Sequence, residues 1–144
     1  MPPFTVIEAL DPADREACYA LRKEVFCGEQ AVDLALEFDG LDDACRHYLA
    51  RNPAAPLGTA RTRPLGDGRV KIERVAVLRA HRGRHIGLAL MEKVLADARA
   101  DGHREAVLHS QTHAGPFYSA LGFAQVGDGF EEAGIPHIRM TLAL

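Results

Sequence analysis

The first part of the chain carries a strand pattern and then a helix pattern. Phe4–Ile7 is short and rich in β-branched residues, which predicts an opening strand. Asp11-Pro12 is a typical helix start, and the apolar residues after it keep helical spacing, so a helix is predicted to about Phe26. Residues 28–40 show no clean period, and a short helical turn followed by a loop is predicted there.

Two turn signals divide the next segment into strands. Residues 47–50 and 58–62 are predicted strands, joined by a hairpin over residues 52–56. A second turn is predicted at Gly66-Asp67-Gly68, before another strand. Strands that follow one another through short turns predict an antiparallel meander.

The strand predicted for residues 69–78 changes the phase of its apolar alternation. The pattern holds through Ile72 and resumes at Val75 on the other parity, which indicates one inserted residue near Glu73-Arg74. Such an insertion predicts a β-bulge, which turns a side chain toward a site. The alternative is a central strand that is buried on both faces and apolar throughout its second half.

The second half of the chain predicts a crossover unit. Residues 86–100 form an amphipathic helix, residues 106–108 a strand, residues 116–121 a short helix, and residues 138–142 a final strand. Strand, helix and strand in one sheet give a right-handed crossover and a parallel pair. The predicted class is α/β with a mixed sheet.

Length and composition limit the number of domains, the cellular location and the kinds of partner. The chain has 144 residues, 47% of them hydrophobic and 26% charged, which predicts one domain over residues 1–144. Its three cysteines are odd in number and lack metal-ligand spacing, so no disulfide framework is expected and a cytoplasmic location is predicted. No apolar run could span a bilayer, which predicts no membrane association. A net charge of −3 argues against nucleic acid as the main partner.

The charges are unevenly distributed and suggest two pockets. Arg79, Arg82 and Arg84 form a cationic run. The acidic run consists of Glu37, Asp39, Asp42 and Asp43. Two pockets of opposite charge could hold an anionic and a cationic ligand side by side, whereas the alternative is that both runs are solvated loops.

The sequence His-Arg-Gly-Arg-His-Ile-Gly at residues 81–87 leads directly into the predicted amphipathic helix. The first amides of a helix have no partner inside it, so a turn that directs them at one point makes an anion site. Glycines allow close approach of the anion, and the nearby arginines add charge. The turn therefore predicts a diphosphate site, although glycine-containing turns also precede helices for packing reasons.

The order of elements from residue 70 to residue 142 resembles the GNAT acetyltransferase superfamily. The diphosphate loop of that family is Arg/Gln-x-x-Gly-x-Gly/Ala, and Arg82 to Gly87 matches its first and last positions, with His85 where glycine is usual. Residues 109–118, 121–123 and 132–137 are similar to the ElaA/YjcF-like branch. The resemblance implies a mostly antiparallel central sheet, a parallel pair at a cofactor cleft, and helices on both faces.

The resemblance also implies roles for individual residues. The coenzyme A diphosphate would lie on residues 82–87, the pantetheine arm would pair with residues 75–77 like an added strand, and Tyr118 would protonate the departing thiolate. The implied cofactor-binding residues are Val75, Ala76, Val77, Arg82, Gly83, Arg84, His85, Ile86 and Gly87. Without this context, Tyr118 could equally be a packing residue.

A primary amine acceptor needs a base, because an amine with a pKa near 10.4 is almost wholly protonated at pH 7, a handicap of roughly 4–5 kcal/mol. Glu73 at the expected bulge is the first candidate, and His109 is the second. Each residue also has a structural explanation: Glu73 could be an ion-paired carboxylate on an exposed strand, and His109 could be an imidazole in the core. Asp39, Asp43 and His137 are candidates for binding the acceptor.

The hypothesis is an acetyl-CoA-dependent N-acetyltransferase in which a small-molecule or peptide amine attacks the thioester directly through a tetrahedral intermediate. No metal is expected, because His109 and His113 lack the spacing and partners of a zinc site. The rival hypothesis is a non-catalytic acyl-CoA sensor, since His85 could weaken cofactor binding. The sequence does not decide between a monomer and a homodimer.

Overall fold

The computed structural model describes residues 3–144, which form eight strands and four α-helices. The strands are β1 (Thr5–Glu8), β2 (Arg46–Arg51), β3 (Pro56–Gly66), β4 (Arg69–Val77), β5 (Glu105–Gln111), β6 (Ala124–Gln125), β7 (Phe130–Glu132) and β8 (Ile135–Ala143). The helices are α1 (Pro12–Arg22), α2 (Leu34–Glu37), α3 (Ile86–Ala100) and α4 (Gly115–Ala120).

All strands belong to one mixed sheet with the order β1-β2-β3-β4-β5-β8-β6, and β7 pairs with β8. The pairs from β1 to β4 are antiparallel, which confirms the predicted meander. Strands β4 and β5, joined through α3, are parallel, and β5 pairs antiparallel with β8. The mixed α/β sheet is as the sequence predicts.

Helices cover both faces of the sheet because the strands alternate their buried side chains. Leu49 of β2 packs with Cys18 and Leu21 of α1. Its neighbours Tyr48 and Ala50 belong to the larger core on the other face, which α3 covers. The pattern confirms helices on both faces.

The bulge predicted in β4 is present. Arg61 of β3 pairs with Glu73 and Thr59 pairs with Ala76, so β4 has one more residue than β3 between these pairs. Arg74 has a φ of 55°, a left-handed conformation that is uncommon for a residue other than glycine. The bulge turns Arg74 away from the strand ladder and toward α2.

Strands β4 and β5 separate after a short paired region. Their parallel register runs from the pair of Arg69 with Glu105 to the pair of Ile72 with Leu108. Beyond Ile72, β4 continues to Val77 with no β5 partner in the described chain. The separation opens a cleft in the middle of the sheet.

Some features differ from the sequence prediction. The first helix does not stop near Phe26 but continues as a π-helical segment over Lys23–Glu29, in which Gln30 N–H donates to Val25 O at 3.0 Å. The short strands β6 and β7 were not predicted. The longest helix, α3, has 15 residues, and no helix within residues 3–144 combines the length and apolarity needed to cross a membrane.

Candidate active site

The space between the separating strands is a cleft of about 990 Å³. Its walls come from the second half of β4, the end of β5, the π-helical segment, α2, α4 and the β7–β8 hairpin. Most predicted site residues line it, including Glu73, Arg82, His109 and Tyr118. The structure therefore gathers residues from distant parts of the sequence in one cavity.

Free backbone amides surround the turn before α3. Arg82 N–H donates to Arg79 O at 3.4 Å, and the next backbone bond is Ala89 N–H to His85 O at 3.0 Å. Between them, the N–H groups of residues 83–88 have no hydrogen-bond acceptor in the described chain. A helix N-terminus with free amides is the arrangement that binds phosphate groups.

His85 adopts a left-handed backbone conformation that glycine takes up more readily than other residues. Its φ is 62° and its ψ is 19°, in the left-handed region, and it immediately precedes α3. Gly83 also has a positive φ, 79°. Histidine thus preserves the loop geometry at the cost of left-handed strain. Of its neighbours, Arg84 is exposed, whereas the Ile86 side chain is in the core and offers only its amide.

Residues 75–77 present an edge that no strand covers. Leu78 N–H donates to Leu57 O of the neighbouring segment, so by strand alternation the N–H and C=O of Val77 point the other way, into the cleft. Ala76 pairs with Thr59 on the covered side. An extended ligand could add to this edge as a further strand.

The side chain of Arg82 is already hydrogen-bonded to other residues of the chain. Its guanidinium makes two bonds of 2.7 Å to the carboxylate of Glu29, and its Nε donates to Val77 O at 3.0 Å. The pairing lowers the pKa of Glu29, because Arg82 donates hydrogen bonds to it. Next to Glu29, Gln30 accepts from Gln111 Nε2 at 2.7 Å, so the π-helical segment is tied to both walls of the cleft.

Tyr118 lies in α4 with its ring among aromatic and core residues. It packs edge-to-face against Phe117 and Phe123, with ring centroids 5.0 Å and 6.0 Å away. Burial raises the pKa of Tyr118 to about 12, which keeps the phenol protonated at physiological pH. A protonated phenol in the cleft can act as a proton donor.

Three carboxylates of the acidic run that was predicted to bind the acceptor form ion pairs with arginines. Arg22 contacts Glu37 and Asp42, Arg61 contacts Asp42 and Asp39, and Arg74 contacts Asp39 and Glu37. These six residues close a ring of alternating charge, the ion-pair ring, with distances from 2.7 to 3.4 Å. Arg22 and Arg61 are fully buried. Asp39 therefore lines the cleft as an ionised carboxylate whose charge is balanced by Arg61 and Arg74.

The electrostatics of the ring residues follow from their hydrogen bonds. Those from Arg61 hold the pKa of Asp39 well below its usual range. Burial raises the pKa of Glu37 despite its bond to Arg22. Asp43, the other predicted acceptor residue of this run, is exposed and does not line the cleft.

Glu73 is paired with cations. Its Oε1 is 2.6 Å from Arg63 Nε and 3.2 Å from Arg61, and its Oε2 is 3.5 Å from Lys71 Nζ. Burial alone would raise the pKa of Glu73, but the charge of Arg61 and the hydrogen bond from Arg63 outweigh it and lower the pKa. A carboxylate held ionised in this way is a weak proton acceptor.

His109 is oriented by a carboxylate. Its Nδ1 lies 3.0 Å from Glu132 Oε1, and since an ionised carboxylate only accepts hydrogen bonds, Nδ1 carries the proton. In the neutral ring, Nε2 then holds the lone pair. His137 lies 3.7 Å from the other Glu132 oxygen, and Phe130 packs against both imidazoles.

Glu132 was not predicted as a site residue. It ends β7, and the hairpin to β8 is a two-residue turn of Ala133 and Gly134 with φ of 52° and 74°. Positive φ at both positions is the type I′ geometry, for which a final glycine is the sequence signal. That signal predicts the hairpin, but the contact of Glu132 with His109 depends on β5 lying beside β8.

No group of three or more potential metal ligands occurs among the described residues.

Known proteins are similar to this chain in sequence and fold. The family model for the acetyltransferase (GNAT) domain matches residues 9–144. The uncharacterized N-acetyltransferase YjcF of Bacillus subtilis is 38% identical over 128 residues, covering 88% of this chain and 89% of YjcF. The crystal structure of ElaA from Escherichia coli matches with a TM-score of 0.84 and 32% identity, covering 98% of this chain and 99% of ElaA. An acyl-CoA N-acyltransferase from Pseudomonas aeruginosa matches with a TM-score of 0.83 and 32% identity, covering 96% and 97%.

Proposed function

Because this chain belongs to the GNAT acetyltransferase family, in the branch that includes YjcF and ElaA, we propose that it transfers the acetyl group of acetyl-CoA to a primary amine. Acyl transfer is the chemistry that the family supports. The observation that carries the finer proposal is the cleft itself, whose lining includes Arg82 and Gly87 of the turn with free amides, the uncovered edge of residues 75–77, and Tyr118.

Each part of the acyl donor has a matching feature in the cleft. The amides of residues 83–88 would bind the diphosphate, and exposed Arg84 would add charge. The strand edge at Val75 and Val77 would pair with the amides of the pantetheine arm. Val77 O is bonded to Arg82 in the free protein, so pairing at this carbonyl requires the Arg82 side chain to move.

The reaction would proceed by direct attack of the amine in a ternary complex. The amine nitrogen forms a bond to the thioester carbonyl carbon, the carbon–sulfur bond breaks, and Tyr118 protonates the thiolate. The proton that the nitrogen then loses on becoming an amide restores the phenol of Tyr118. The amine must first lose a proton. We assign this step to Nε2 of His109, with Glu132 stabilising the positive ring that results. Glu73 is the less suitable base because its surrounding cations disfavour its protonation.

Thiol release from acetyl-CoA with a panel of primary amines tests the activity. Turnover supports the proposal, whereas coenzyme A binding without turnover of any amine would favour a sensor. With a competent acceptor, Tyr118→Phe should lower kcat by about 10²- to 10⁴-fold, the usual contribution of a general acid. His109→Gln should reduce the rate similarly, and His103→Gln, outside the cleft lining, is the control. Loss in Glu73→Gln but not in His109→Gln, at equal folded fraction, would reassign the base.

A further inference from the structure

The cleft is electrically polarised, and the cationic side lies where β3 and β4 form its wall. The ion-pair ring is balanced, with three arginines against three carboxylates. Outside the ring, Glu73 is the single carboxylate beside Arg63 and Lys71 among residues 3–144, so this wall carries one net positive charge. The acidic run of the sequence therefore does not make this part of the cleft negative.

Arg63 and Lys71 keep hydrogen-bonding capacity for a ligand. Arg63 uses only Nε, toward Glu73, and its terminal nitrogens have no partner within residues 3–144. Lys71 approaches Glu73 at 3.5 Å and makes no closer contact in the described chain. Their side chains are 27% and 16% exposed, and both line the cleft. A guanidinium edge and an ammonium are the donors that suit a carboxylate.

The opposite wall suits the amine. It carries Glu132 and the imidazole of His109. Lys71 is in register with Val107, and side chains two residues apart on a strand point to the same side, so Lys71 and His109 share one face. With strands about 4.8 Å apart and a rise of about 3.3 Å per residue, their Cα atoms lie roughly 8 Å apart or more as the strands separate. Long side chains bridge that distance to a ligand of amino-acid size.

We infer that the acceptor is an amine that also carries a carboxylate, such as a free amino acid, with the carboxylate bound by Arg63 and Lys71 and the amine beside His109. The inference rests on the proposed acetyl transfer and specifies its substrate class. Polyamines and other amines without an anionic group would lack a partner for the cationic wall.

Matched acceptor pairs that differ only in the carboxylate provide the test. The rates of L-phenylalanine and phenethylamine, and of L-lysine and cadaverine, are compared by thiol release from acetyl-CoA. The amino acid of each pair should have at least a tenfold higher kcat/KM. Lys71→Gln and Arg63→Gln should each reduce that preference fivefold or more, mainly through KM, and Lys71→Arg should retain most of it.

Arg51→Gln is the control, because Arg51 pairs with Asp14 and does not line the cleft. Equal turnover within each pair, unchanged in the two glutamine variants, would overturn the inference and leave acetyl transfer standing. Turnover of no amine in either set would overturn the proposed function itself. The two failures are therefore distinguishable in one experiment.

Discussion

Substitution of Glu73 by glutamine separates its structural role from a chemical one. Its side chain is 8% exposed, and its carboxylate contacts Arg63 at 2.6 Å, Arg61 at 3.2 Å and Lys71 at 3.5 Å. Removing one partner of a buried ion pair typically costs about 3–5 kcal/mol. Glutamine still accepts one hydrogen bond and Arg61 keeps its ring partners, so we expect a loss nearer 2–3 kcal/mol in the free energy of unfolding.

Urea unfolding followed by far-UV circular dichroism measures this loss, since the chain has no tryptophan. Glu92→Gln, at an exposed position without an ion pair in the described chain, is the control and should change stability little. Folding lowers the pKa of Glu73, so its ion pairs stabilise the fold above the ordinary carboxyl pKa of about 4.3 and lose that effect as the pH falls through the lower folded value. The difference from wild type should therefore shrink in acid. Unchanged stability together with a 100-fold loss of kcat would refute the structural role.

Other substitutions test packing, loop geometry and the proton donor. Gly58→Ala should destabilise the fold by about 1–3 kcal/mol, since its Cβ would lie 2.9 Å from Ala76 O and 3.1 Å from Leu90, and wild-type stability would contradict this packing. His85→Val should lower the free energy of unfolding in urea, because a β-branched residue tolerates a φ of 62° less well than histidine does, whereas His85→Gly should not destabilise the loop. Because burial raises the pKa of Tyr118 to about 12, kcat should not fall near pH 10 through loss of its proton, and an alkaline limb there that vanishes in Tyr118→Phe would contradict the assignment.

The sequence was sufficient for most of the fold and for the free amides of the turn before α3. The phase change after Ile72 predicted a bulge that the structure places at Arg74, because side-chain alternation reports the strand ladder directly. The free amides before α3 follow from a helix start after a glycine-containing turn. Both signals are local, so sequence spacing contains them.

The charges along the rest of the cleft depend on contacts between residues that are distant in the sequence. Asp39 belongs to an acidic run in the sequence, yet it is neutralised by Arg61 and Arg74 from other strands. Glu132 meets His109 only because β8 lies between β5 and the short strand β7. The acidic run alone therefore could not predict the sign of the charge in this part of the cleft.

The central claim is that the amides of residues 83–88 bind the diphosphate of coenzyme A. Two-dimensional ¹H–¹⁵N NMR during titration with coenzyme A, and separately with pantetheine, measures it residue by residue. Coenzyme A should shift the amide resonances of residues 83–88 most strongly, and pantetheine, which lacks the diphosphate, should shift those of residues 75–77 but leave the turn almost unchanged. Binding of coenzyme A without shifts at residues 83–88 would contradict the claim.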